Sequence, residues 1–121
     1  MADEWRILVV DDDAAIRSLV SAALVGFGYV VDQAENGAAA LELAESRPPS
    51  LILLDMRMPV MDGWEFAAAY RSLPGAKAPL VVCTAAADAQ ERAQQIGADG
   101  CLPKPFRVAD LIKTVEEHLG S

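Results

Sequence analysis

Leu51-Ile52-Leu53-Leu54-Asp55 is an uninterrupted apolar run that ends on a carboxylate. A strand with one solvated face alternates apolar and polar residues; a strand covered on both faces does not. The same signature opens the chain, where Ile7-Leu8-Val9-Val10 runs into Asp11-Asp12-Asp13. It returns in Leu80-Val81-Val82-Cys83 followed by Thr84, and in the shorter Gly100-Cys101-Leu102-Pro103 followed by Lys104-Pro105. Tyr29 to Ala34 reads as a further strand.

Helical patterns fill the intervals. Ile16, Leu19, Val20, Ala23 and Leu24 recur at helical spacing before Gly26 and Gly28. Ala38 to Ser46 is rich in alanine and leucine and stops at Pro48-Pro49. Helices are also predicted from about Trp64 to Ser72, from Asp88 to Ile96 with Gly97 closing it, and over Val108, Leu111, Ile112 and Val115. Five β/α units follow, which is the pattern of an α/β protein with a parallel sheet covered on both faces. In such folds ligands sit beyond the carboxyl ends of the strands.

The composition fits one domain with a real core. The chain has 121 residues, 53% hydrophobic and 23% charged, so it needs no disulfide or structural metal to fold. A net charge of −8 argues against direct binding to nucleic acid or an anionic membrane. No apolar run is long enough to span a bilayer, and the acidic start Met1-Ala2-Asp3-Glu4-Trp5 is unlike a secretory signal. A cytoplasmic location is expected, with Cys83 and Cys101 as reduced, packed thiols.

A parallel sheet brings Asp11, Asp12, Asp13, Asp55, Thr84 and Lys104 to one edge. Two carboxylates about 4 Å apart repel by roughly 4 kcal/mol at an effective dielectric of about 20. Such a cluster wants a cation. Magnesium suits it, because that ion takes one or two carboxylates and leaves positions for phosphate oxygens. An aspartate nucleophile, a lysine and a hydroxyl beside it are the parts of a phosphoryl-acceptor site. Asp13 and Asp62 read instead as helix caps. His118, the single histidine, reads as solvated or complementing a helix dipole. Trp5 and Trp64 read as packing residues.

The chain resembles the receiver domain of two-component response regulators over its whole length. The resemblance rests on Val9-Val10-Asp11-Asp12, on Leu53 through Pro59 to Asp62-Gly63, on Thr84-Ala85, and on Gly97-Ala98-Asp99-Gly100 leading to Lys104-Pro105-Phe106. It implies a flavodoxin-like doubly wound (βα)5 sandwich with strand order 2-1-3-4-5, the order of the chemotaxis regulators in that family. Residues 1–121 would be a single receiver domain without an output domain. Asp55 would accept a phosphoryl group from a phosphohistidine on a histidine kinase or phosphotransfer protein. Asp12 and Asp55 would bind Mg²⁺ (or Mn²⁺) directly, with the backbone carbonyl of Arg57, and Asp11 through a water. Lys104 would contact the phosphoryl group across a cis Lys104-Pro105 bond. Thr84 would couple the phosphate to the surface of the fourth helix, fifth strand and fifth helix, which binds a protein target. The resemblance implies no turnover enzyme, only self-phosphorylation and its reversal.

The chain departs from the family pattern in particular places. Cys101 stands where the family carries a switch aromatic. Gly100 stands where many DNA-binding regulators have a second acidic residue. The stretch from Thr84 to Lys104 is short. Arg57 and Ala86 occupy positions that tune dephosphorylation. Four other readings stay open. One is the excised receiver of a longer regulator or hybrid kinase, and another is an interaction module that never takes phosphate. A third is a haloacid-dehalogenase-type phosphatase, opposed by Ala15 where that family wants threonine. The last is a flavin carrier, whose phosphate three aspartates would repel.

Overall fold

A computed structural model describes residues 5–85 and 87–119. Among them the chain alternates β1 (Arg6–Val10), α1 (Ala14–Gly26), β2 (Val30–Ala34), α2 (Gly37–Ser46) and β3 (Leu51–Leu54). It continues through α3 (Gly63–Arg71), β4 (Leu80–Val82), α4 (Ala89–Ile96), β5 (Gly100–Cys101) and α5 (Val108–Leu119). The strands form one parallel sheet in the order β2-β1-β3-β4-β5. This is the flavodoxin-like order that the resemblance implied.

Each strand sends alternate residues to opposite faces, and both faces are apolar. Leu8, Val10, Ile52, Leu54, Leu80 and Val82 pack against Ala40, Phe66, Tyr70 and Ile96 of α2, α3 and α4. Ile7, Val9, Leu51, Leu53 and Val81 pack against Val20 and Leu24 of α1 and Leu111, Ile112 and Val115 of α5. Each such Val, Leu, Ile or Phe side chain contributes about 1.5–3 kcal/mol when fully buried. Phe66 is fully buried and stacks on Tyr70 with ring centroids 5.6 Å apart.

The register fixes the functional edge. Val10 pairs with Leu54, Leu54 with Val82, and Val82 with Cys101. The residues just past these positions therefore share one row. Past β4 and β5 the ladder runs on, with the Leu102 amide donating to the Val82 carbonyl at 2.7 Å and the Lys104 amide to that of Thr84 at 2.7 Å. Pro103 has no N–H to contribute, so β5 is shorter than the Gly100–Pro103 expected.

Caps follow the sequence closely. The Asp13 side chain accepts from the Ala15 and Ile16 amides. Asp62 and Glu65 form a reciprocal capping box at α3. Gly97 ends α4 at φ 62°, a conformation glycine adopts without steric cost.

One expectation about these side chains fails and another is refined. Trp5 is 40% exposed, so it is no core packing residue. His118 stands in the last turn of α5, the helix-end place expected of it, though it is not simply solvated. It is half-buried, with Nδ1 2.8 Å from the Thr114 carbonyl oxygen and Nε2 3.4 Å from that of Asp99. A Cβ on Gly100 would lie 2.7 Å from His118 Nε2. The ring occupies the space that a side chain at residue 100 would need. Trp64 does pack on the core, and it also donates its Nε1 hydrogen to Gln95 Oε1 at 2.9 Å and carries Arg92 over its ring.

Candidate functional site

Asp11, Asp12 and Asp55 meet at the edge so defined. Each offers a carboxylate oxygen, and these oxygens lie within 4.8 Å of one another. Asp11 and Asp55 are buried and Asp12 is exposed. Three carboxylates at this spacing are the donor set that a hard divalent cation takes.

Lys104 reaches the cluster from the loop after β5. Its Nζ donates to Asp11 Oδ2 at 2.7 Å and lies 3.9 Å from Asp55 Oδ1. Burial would lower the Lys104 pKa, but the bond to Asp11 and the Asp55 charge outweigh it and hold the ammonium above its ordinary range. The Lys104-Pro105 peptide is cis, as the resemblance implied. Asp11 Oδ1 accepts from the Asp13 amide at 2.9 Å, and Asp55 Oδ1 from the Met56 amide at 2.9 Å.

Asp55 is the perturbed group. Burial pushes its carboxyl up from 3.8 to about 6. Lys104 and the Met56 amide pull it back, while Asp11 and Asp12 push it further up. A carboxylate held this way is relieved by a cation or by losing its charge.

The loop from Asp55 to α3 is clamped at both ends. A Cβ on Gly63 would come within 2.6 Å of Met56 Sδ and 2.8 Å of the Asp55 carbonyl oxygen. A Cβ on Gly37 would lie 2.6 Å from the Met61 carbonyl oxygen, to which the Gly37 amide donates at 2.8 Å. Between the clamps Val60 holds φ 69° and is 81% exposed. The Met61 amide bonds back to the Pro59 carbonyl at 2.7 Å, closing a strained three-residue turn.

The other expected residues are placed as follows. Thr84 is buried at the end of β4, and its carbonyl takes the Lys104 amide. Arg57 is exposed in the loop after Asp55 and makes no side-chain hydrogen bond among the described residues. Ala86 lies outside the described residues. Cys101 is half-buried in β5 against the core under α2, α3 and α4. Neither cysteine is in a disulfide, and burial pushes the Cys83 thiol up to about 12. Arg17, which drew no attention in the sequence, donates from Nη1 to the Asp11 carbonyl oxygen at 2.7 Å. Its only sequence signal is a cation in the first turn of a helix, where the dipole disfavours one.

Beside Lys104 runs an apolar groove of about 450 Å³ lined by Ile16, Leu19, Val20, Ala85, Pro105 and Phe106. A larger one, about 540 Å³, lies at the opposite end of the sheet beside Arg71, Lys77 and Asp99. There the Arg71 guanidinium caps the Ile96 and Gly97 carbonyls, so its cationic wall is spent on α4.

A doubly wound α/β sandwich with an acidic cluster at its strand ends defines the class. The chain belongs to the response regulator receiver domain family, whose model matches residues 7–116. The response regulator MprA of Mycobacterium ulcerans is 42% identical over 109 residues, 88% of this chain and 47% of that protein. The chain thus spans about half the length of the curated relatives it matches. Among solved structures, the chemotaxis response regulator CheY4 of Vibrio cholerae is 35% identical with TM-score 0.88, covering 97% of this chain and 100% of that one. The receiver domain of a Pseudomonas aeruginosa sensor histidine kinase, solved with magnesium in its active-site cleft, is 32% identical with TM-score 0.88. That match covers 98% of this chain and 100% of that one. No helix among the described residues is long and apolar enough to cross a membrane.

Proposed function

We propose that the chain is the phosphoacceptor of a two-component or phosphorelay system. Asp55 takes a phosphoryl group from a phosphohistidine on a histidine kinase or phosphotransfer protein. The observation that carries this reading is the convergence of three carboxylates within 4.8 Å with an ammonium 3.9 Å from the buried Asp55.

An Asp55 oxygen attacks phosphorus, the bond from phosphorus to the donor imidazole breaks, and the imidazole leaves with the bonding pair. Asp55 must be ionised to attack, and a carboxyl at about 6 is mostly ionised at neutral pH. Asp11, Asp12 and Asp55, with the Arg57 backbone carbonyl, would hold Mg²⁺ or Mn²⁺; the magnesium of the Pseudomonas relative supports this. A bound divalent ion supplies charge neutralisation at the phosphoryl oxygens. Lys104 adds a second positive charge beside Asp55, and the Thr84 hydroxyl is the donor that reads the product.

The chain stores a signal rather than turning over a substrate. It works in the cytoplasm and passes the signal to a protein target through α4, β5 and α5. With a net charge of −8, direct binding to nucleic acid is disfavoured.

The test is intact mass after incubation with acetyl phosphate or phosphoramidate, with and without Mg²⁺, for wild type and Asp55→Asn. A gain of one phosphate that needs both Mg²⁺ and Asp55 supports the reading. No gain, under conditions that label another receiver, supports a phosphate-independent interaction module. Cys101 at the switch position is the feature that favours this second reading.

A further inference from the structure

The exposed member of the acidic cluster has no support of its own. Asp12 is exposed, and its carboxylate takes part in no hydrogen bond among the described residues. Yet a metal ligand must be held to within a fraction of an ångström to bind tightly. The direction of its Cα–Cβ bond, from which the carboxylate's rotamers start, is set by the two peptide planes that flank it.

Both planes are fixed from outside. On one side, the Asp13 amide donates to Asp11 Oδ1 at 2.9 Å. That bond holds the Asp12–Asp13 peptide and belongs to the cluster itself. On the other, Arg17 Nη1 donates to the Asp11 carbonyl oxygen at 2.7 Å, which holds the Asp11–Asp12 peptide. The Arg17 amide donates to the Asp13 carbonyl at 2.9 Å, so this residue grips the loop twice.

Arg17 has no other visible task. It is half-buried, and it forms no ion pair among the described residues. It stands in the first turn of α1, where a cation is opposed by the helix dipole. As a bare charge beside a cation site it would weaken that site.

We propose that Arg17 is a positioning residue for the divalent-cation site: its guanidinium fixes the Asp11–Asp12 peptide and thereby aims the Asp12 carboxylate. The inference rests on the cation binding proposed above. It also sets two effects of opposite sign against each other. If Arg17 acts only through its charge, removing it tightens Mg²⁺ binding. If it acts by positioning, removing it loosens Mg²⁺ binding.

The experiment follows the thermal midpoint of the full chain against Mg²⁺ concentration for wild type, Arg17→Met and Arg17→Lys. Arg17→Met is expected to need about tenfold more Mg²⁺ for half its stabilisation, the scale of a lost outer-shell contact. Its metal-free midpoint should stay close to wild type. Arg17→Lys, which keeps a donor, should recover part of the loss. Amide exchange at Asp12 and Asp13 without metal should speed up about tenfold in Arg17→Met, which a pure charge effect would not cause. An unchanged or lower Mg²⁺ requirement in Arg17→Met overturns the proposal; if Arg17→Met fails to fold, Arg17→Lys decides, and a Mg²⁺ requirement equal to wild type overturns it while a raised one supports it. A wild-type midpoint that ignores Mg²⁺ defeats the underlying reading, and this proposal with it.

Discussion

Lys104 is bonded to Asp11, not to Asp55: its Nζ lies 2.7 Å from Asp11 Oδ2 and 3.9 Å from Asp55 Oδ1. The residue proposed to receive phosphate is therefore not hydrogen-bonded by the ammonium. Asp11 serves as a holder for the lysine, and the two side chains are joined across 93 positions of sequence.

Replacing Lys104 by Met would leave Asp11 and Asp55 without their cation. Both are largely buried, and removing one partner of such a pair costs more than the pair contributes, because the remaining charge is stranded. Partial exposure of the ammonium reduces the penalty. The expected loss is about 2 kcal/mol in chelator, read by thermal or urea unfolding at neutral pH. Added Mg²⁺ should restore part of it. An unaltered midpoint would mean that the two carboxylates relax into water on their own.

Asp55→Asn should do the opposite. Asp55 has its folded-state carboxyl raised from 3.8 to about 6, chiefly by burial, so the folded chain binds a proton more tightly than the unfolded one. Stability from this group is therefore greatest below about pH 4. It is lost as pH rises through about 6, and is absent at pH 7.5. Asparagine removes the charge and keeps an acceptor for the Met56 amide. In metal-free buffer at pH 7.5 the variant should be more stable than wild type by about 2 kcal/mol. The gap should close near pH 4. Paired urea titrations at the two pH values check it, and a gap that persists at pH 4 would contradict the assignment.

Val60→Gly should stabilise the chain. A β-branched residue at φ 69° costs on the order of 1–3 kcal/mol, and glycine pays less there. Val60 is 81% exposed, so little packing is lost. Glycine's extra freedom in the unfolded chain offsets part of the gain. The net expectation is about 0.5–1 kcal/mol, measured by urea unfolding. A destabilised variant would show that Val60 makes contacts worth more than its strain.

The two thiols should react differently. Cys83 is buried and its thiol is pushed up to about 12 by that burial, with Lys104 opposing and Asp11 and Asp55 adding to it. Cys101 is partly accessible. Alkylation of the native chain with iodoacetamide at pH 8 should modify Cys101 first and leave Cys83 untouched until the chain is unfolded. Peptide mapping reads the order. Early modification of Cys83 would mean that the β4 end opens readily.

These sites differ in how far the sequence showed them. Asp11, Asp55, Thr84 and Lys104 stand out because each closes a short apolar run, and a parallel sheet gathers run ends. The Asp13 and Asp62 caps are local, so their chemistry is legible from a few neighbouring residues. Arg17 and His118 act through partners that the sequence does not mark. A guanidinium on a carbonyl leaves no complementary charge to look for, and the room for the His118 ring comes from Gly100, which stands 18 residues earlier. Trp5 misled because an aromatic beside a strand usually packs, whereas here it is 40% exposed.

Gly63 joins the fold to the site most directly. It opens α3 one residue after the Asp62 cap, and its amide donates to the Met56 carbonyl at 2.8 Å. A methyl group there would fall 2.6 Å from Met56 Sδ, 2.8 Å from Met56 Cα and 2.8 Å from the Asp55 carbonyl oxygen. The sulfur can swing aside, because methionine has rotatable bonds to spare. The two backbone atoms cannot move without shifting the Met56 amide, which holds Asp55 Oδ1. Gly63→Ala is therefore expected to cost about 1–3 kcal/mol of stability. It should also slow labelling of Asp55 by acetyl phosphate at saturating Mg²⁺, by about tenfold for a displaced nucleophile. Unfolding and intact-mass time courses on the same sample separate the two effects. If stability falls while the labelling rate holds, the backbone strain is absorbed in α3, and the position of Asp55 does not depend on this glycine.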